Sequence, residues 1–276
     1  LMPVVMFSAL TERGAAATLD ALMLGANDYV PKPTAVNDFE VAKQCIRDEL
    51  IPKLKQFARA AVSTTVGEQK QLVLPGPRKP TSRQQIELVV IGVSTGGPVA
   101  LASLLPKLKR NQRVPILIVQ HMPPLFTHHL AGRLAGLTGA PVQEAQDQQA
   151  LRPGEFYIAP GGFHMRVARS GKTLQARLSQ DPPLHSCRPA ADRLFRSAAT
   201  VTRSATLAVV LTGMGRDGLE GCRDIATAGG QVIVQDEATS VVWGMPGQVA
   251  RAGLAQAILP IDRLGDEILR RLSWTQ

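Results

Sequence analysis

The chain has 276 residues, 45% of them hydrophobic and 19% charged, a balance that excludes disordered and collagen-like chains and makes two domains the starting expectation. No run of about 18 apolar residues marks a membrane span, and the first residues lack the zones of a signal peptide, so a cytoplasmic location without membrane insertion is expected. The net charge of +9 comes from basic residues spread through helices and a linker, with only 4% aromatics, which describes a solvated basic surface and argues against a nucleic-acid partner.

Residues 2–9 (MPVVMFSA) read as an apolar strand, followed by a polar turn over 10–14 and a helical stretch over 15–26. A short strand over 27–30 runs into Pro31-Lys32-Pro33. Across 36–61 the spacing of Val41, Cys45, Ile46, Leu50, Leu54 and Phe57 predicts a helix. Residues 62–85 are polar, contain three prolines and show no period, which marks an interdomain linker.

The second domain spans 86–276. It opens with a continuous apolar run, Leu88 to Val93, which ends in Ser94-Thr95-Gly96-Gly97-Pro98 and a helix. A second buried strand, VPILIVQ, stops at His121. Further on, FYIAP and the stretch MRVARSGKTLQARL suggest antiparallel strands, the latter as a hairpin. The alternation resumes with the strand TLAVVLTG, a helix from about Leu219, the strand QVIVQ and a last helix from about Asp262. Alternating helices and strands apolar on both faces predict an α/β fold with a doubly wound, mostly parallel sheet and an antiparallel hairpin.

Gly92-Val93-Ser94-Thr95-Gly96 is a G-x-S-x-G between a buried strand and a helix, where glycines permit a tight turn and helix-terminal N–H groups can face an oxyanion. The same geometry suits a passive anion site, but neither a Walker lysine nor G-x-G-x-x-G accompanies it. A nucleophilic serine needs a base. Of His121, His128, His129, His164 and His185, His121 directly follows a strand and shares the functional rim of a parallel sheet; packing or capping is its alternative role. His128 and His129 read as helix-surface residues, and His185, in a loop, is the reserve candidate. Asp217, in LTGMGRDG, follows another buried strand and suits the orienting acid, with helix capping as the alternative. Cys45, Cys187 and Cys222 are far apart and lack CxxC spacing, so free thiols are expected and no metal site.

GVSTGGP, VQHMPP and LTGMGRDG, in this order, resemble the active-site motifs of the chemotaxis protein-glutamate methylesterases, and HSCRPAADRLF and VVWGMPG are similar to further segments of that family. The resemblance covers residues 86–272. It implies Ser94 as nucleophile, His121 as base, Asp217 as orienting acid, and the backbone N–H groups at Thr95 and Met214 as oxyanion candidates. It also implies hydrolysis of glutamyl methyl esters on chemoreceptor helices without a cofactor, with deamidation of receptor glutamines open to the same acyl chemistry. The order Ser, His, Asp differs from that of the α/β-hydrolases.

Residues 1–61 resemble the last part of a flavodoxin-like receiver domain, with Ser8 matching its hydroxyl switch residue and Lys32 its active-site lysine. The acidic pair and phospho-accepting aspartate of a receiver would precede Leu1. The expectation is therefore a partial receiver, mobile or paired with another copy and unresponsive to a small phosphodonor, while a full receiver would be served by the chemotaxis histidine kinase.

Overall fold

A computed structural model describes residues 2–9, 11–33, 39–63, 85–109 and 113–273. The chain divides into two compact units, Leu1–Leu74 and Pro75–Gln276, and the expected linker lies almost wholly outside the described residues.

In the first unit, β1 (Val5–Ser8), α1 (Glu12–Met23) and β2 (Asp28–Pro31) are followed by α2 (Phe39–Cys45), a π-helical turn (Ile46–Leu50) and α3 (Ile51–Ser63). Strands β1 and β2 pair in parallel, Ser8 opposite Pro31. Helix α1 starts earlier than its apolar pattern suggests because Thr11 caps it, its hydroxyl accepting the Gly14 N–H at 3.1 Å. Ala15, Leu19 and Leu22, one helical stripe, are buried. The helix expected over 36–61 is interrupted at the π turn. Pro52 has no N–H to offer the Asp48 carbonyl, so the ladder loses a bond where the turn widens.

The second unit runs β3 (Leu88–Val93), α4 (Gly97–Leu108), β4 (Ile116–Gln120), α5 (Phe126–Thr138), β5 (Val142–Glu144), β6 (Phe156–Ile158), β7 (His164–Ser170) and β8 (Thr173–Ser179). It continues with α6 (Ala191–Val201), a 3₁₀ turn (Arg203–Ala205), β9 (Thr206–Val210), α7 (Leu219–Thr227), β10 (Gln231–Gln235), α8 (Met245–Arg251), β11 (Ala257–Leu259) and α9 (Ile261–Leu272). Seven strands form one sheet in the order β11-β10-β9-β3-β4-β6-β5, every pairing parallel. Every residue of β3, β4, β9 and β10 is buried, which is why apolar residues run through these strands without alternation, with polar ones only at some ends.

Helix α4 packs with α5 and α9, while α6 packs with α7 and against β3, β4 and β9, the two helix groups of a doubly wound sheet. Strands β7 and β8 form the antiparallel hairpin. FYIAP corrects one expectation: it is not antiparallel but enters the main sheet as β6, pairing in parallel with β4 and β5. Three apolar residues suffice there because neighbours on both sides complete the strand. From β3 the chain proceeds to one neighbour, β4, and returns much later to the other, β9. The carboxyl ends of β3 and β9 therefore mark the switch point of the sheet, the place where such sheets gather functional groups.

Candidate active site

Ser94 leaves the end of β3 on a turn whose shape two glycines permit. A side chain at Gly92 would come within 2.9 Å of the Ala191 methyl, so its absence lets α6 lie close on β3. Gly96 takes the left-handed conformation, φ 77°, and a Cβ there would meet Val241 at 2.6 Å. The turn is tied to the loop after β9. Ser94 N–H donates to the Thr212 carbonyl at 3.0 Å, and the Thr212 hydroxyl donates to the Thr95 carbonyl at 2.9 Å.

His121 stands beside Ser94 because β3 and β4 pair with Val93 opposite Gln120, and the His121 N–H donates to the Val93 carbonyl at 3.2 Å. Its Nε2 lies 2.7 Å from Asp217 Oδ2. Asp217 itself is 2% exposed and accepts the N–H groups of Ala191 (2.6 Å), Asp192 (3.0 Å) and Gly218 (3.0 Å). Asp217 thus does not cap the helix that follows it, whose cap position is Gly218; its carboxylate instead closes the start of α6 and faces the imidazole. Ser94 Oγ makes no hydrogen bond to His121. The other ring nitrogen, Nδ1, instead lies 3.6 Å from Cys187 Sγ.

Burial pushes His121 down, but the hydrogen bonds to Asp217 and Cys187 outweigh it and raise the imidazole to about 10. Burial alone would raise Asp217; His121 and the backbone N–H donors hold it below the ordinary carboxylate range. The two groups therefore stabilise each other's charged forms.

The remaining histidines sit elsewhere. His128 and His129 lie on α5 and His164 begins β7. His185 Nε2 lies 3.0 Å from Oδ2 of Asp192, a fully buried carboxylate raised first by burial and then opposed by the N–H of Gly221. The ligand atoms of His185, Asp192 and Asp217 lie within 4.8 Å of one another, yet both carboxylates are occupied by backbone donors and histidines. His185, the reserve candidate for the base, thus pairs with Asp192, and no sequence pattern points to Cys187 beside His121. His185 and Ser186, with φ of 53° and 60°, form a tight turn that Leu184 and Cys187 close through reciprocal backbone bonds, and only the fold carries it to His121.

The two oxyanion candidates flank the serine. Thr95 follows Ser94 directly, and Met214 follows Gly213, where a Cβ would meet the Ser94 Cβ at 2.8 Å. In the first unit, the Lys32 N–H donates to the Ser8 carbonyl at 2.6 Å, while the Ser8 hydroxyl donates to the Gly14 carbonyl at 3.1 Å. Lys32 Nζ lies 5.8 Å from the centre of the Phe7 ring. Among the described residues no helix is long and apolar enough to cross a membrane.

Residues 89–268 match the model of the CheB methylesterase family. A protein-glutamate methylesterase/protein-glutamine glutaminase of Trichodesmium erythraeum is 52% identical over 98% of this chain and 78% of its own length. A protein of the same description from a Nocardioides species is 50% identical over 99% of this chain and 75% of its length. The crystal structure of the Thermotoga maritima CheB methylesterase catalytic domain superposes with a TM-score of 0.66 at 40% identity, covering 68% of this chain and 99% of that one.

Proposed function

This chain belongs to the CheB methylesterase family, and from that premise we propose that Ser94, His121 and Asp217 hydrolyse glutamyl methyl esters on chemoreceptors. The observation that carries the assignment is the His121–Asp217 pair at 2.7 Å beside Ser94, at the carboxyl ends of neighbouring parallel strands.

Because Nε2 faces Asp217, the nitrogen left to serve Ser94 is Nδ1. It takes the hydroxyl proton as Oγ attacks the ester carbonyl, and the N–H groups of Thr95 and Met214 receive the developing oxyanion. His121 returns the proton to the leaving methanol. Water, activated by the same nitrogen, then releases the glutamate. With a glutamine substrate the leaving group is ammonia, consistent with the double description of the relatives.

Residues 1–61 we read as the C-terminal part of a receiver domain, 62–85 as linker and 86–276 as the catalytic domain. The kinase of the chemotaxis pathway is the partner of such a receiver, and the cytoplasm is where receptor methylation sites are accessible. The test is methanol release from methylated receptor. Ser94→Ala is expected to abolish it with the fold intact, and retained turnover would remove Ser94 from the nucleophile role.

A further inference from the structure

We propose that Gln120 is a positioning residue that fixes the oxyanion donor at Thr95 by holding the Ser94 carbonyl from behind. The inference rests on the role given above to the Thr95 N–H. Gln120 ends β4, immediately before His121, and is 2% exposed. Its Nε2 donates to the Ser94 carbonyl at 3.0 Å and to the His121 carbonyl at 3.4 Å. The Gly97 N–H donates to the same Ser94 oxygen at 2.8 Å.

The Ser94 C=O and the Thr95 N–H belong to one peptide unit, planar and trans, so they point in opposite directions. Fixing the oxygen toward Gln120 and Gly97 therefore fixes the N–H away from them. The Met214 N–H is held in the same manner, since the Gly213 carbonyl of its peptide unit accepts from Gly244 N (3.1 Å) and Met245 N (2.8 Å). Backbone does the holding at Met214; at Thr95 a side chain shares the task.

The orientation of the Gln120 amide supports a role beyond filling space. Among the described residues Oε1 is buried with no hydrogen-bond partner, an arrangement that disfavours folding. Reversing the amide would set that oxygen against two carbonyls. The orphaned atom is thus the consequence of donating to Ser94 and His121, and a methionine or leucine would fill the space without it. Gly97 is adapted to this arrangement, because a Cβ there would fall 1.8 Å from Oε1.

The experiment compares wild type, Gln120→Met and Gln120→Glu by kcat and KM on methylated receptor, by the rate of Ser94 labelling with a fluorophosphonate, and by thermal midpoint. Removing a direct oxyanion donor costs about 10²–10³ in kcat. Loosening one that Gly97 still partly holds is expected to cost about ten- to a hundredfold in kcat and in labelling, with KM unchanged. Gln120→Met, lacking the orphaned oxygen, should melt no lower than wild type. Rates within twofold of wild type, a loss lying in KM, or a kcat loss that tracks a lowered melting point would overturn the proposal, as would failure of both variants to fold. A wild type that neither releases methanol nor labels sinks the functional reading instead.

Discussion

Asp217 Oδ2, 2.7 Å from His121 Nε2, is the same oxygen that accepts the Ala191 N–H at 2.6 Å, so the orientation of the imidazole and the start of α6 depend on one carboxylate. Asp217→Asn keeps the shape but presents an N–H₂ group to donors. By analogy with the serine-protease triad it should lower kcat by about 10⁴. Asp217→Ala should lose activity comparably and in addition destabilise the domain by about 3 kcal/mol or more, because buried N–H groups at Ala191, Asp192 and Gly218 lose a charged acceptor. Methanol release and urea unfolding measure the two effects. An alanine variant as stable as wild type would show that Asp217 serves the imidazole alone.

The pair also makes activity and stability run in opposite directions with pH. Only neutral imidazole can take the serine proton, so kcat/KM should rise with pH, and its midpoint should lie above the ordinary value of about 6.5 because His121 is raised to about 10. A raised histidine contributes stability that is fully present below about 6.5 and lost as pH climbs through the folded value. The depressed Asp217 contributes stability above about 3.9 that is lost as pH falls through its lowered value. Unfolding free energy attributable to the pair should therefore decline over the alkaline range in which the rate rises. A rate midpoint at or below 6.5 would contradict this electrostatic account.

Cys187 contributes to the same shift, with Sγ 3.6 Å from Nδ1, the His121 nitrogen that the proposed mechanism gives to Ser94. Cys187→Ala removes one of the interactions that hold the imidazolium and should move the midpoint of kcat/KM toward lower pH, raising the rate near neutrality relative to the alkaline plateau. The pH profile of the variant checks this, and a midpoint shifted upward would show that the thiol does not favour the protonated ring.

Much of this arrangement was legible in the chain because its parts are local. Buried parallel strands announce themselves as apolar runs; Ser94 and His121 each follow the last residue of one, and Asp217 lies in the loop after another. What the sequence hides is contact made by distant segments. Cys187 reaches His121, 66 residues away along the chain, on a tight turn whose two left-handed residues are His185 and Ser186. The Gln120 amide shows its importance only once the Ser94 carbonyl lies beside it. Short strands such as β5 and β11, three residues each, carry too little pattern to stand out and exist because the sheet supplies their partners.

The closeness of the β9 loop to Ser94 gives a final, purely steric prediction. Gly213 has its N–H bound to the Val242 carbonyl at 2.9 Å and its own carbonyl bound by Gly244 and Met245, so its backbone is pinned on both sides. A Cβ at this position would lie 2.6 Å from Met245 Sδ and 2.8 Å from Ser94 Cβ. The methionine tip can turn aside, but Ser94 Cβ sits on a turn held by Thr212 and Gln120 and can yield only by carrying its hydroxyl away from the cleft. Gly213→Ala should therefore cost about 1–3 kcal/mol through overpacking and most of kcat. Gly136→Ala is the control: it lies within α5, where an added Cβ meets nothing within 4 Å among the described residues. There the methyl should stabilise the helix by about 0.5–1 kcal/mol and leave turnover unchanged. Measured side by side, equal activity in the two variants would mean that Gly213 does not set the position of Ser94.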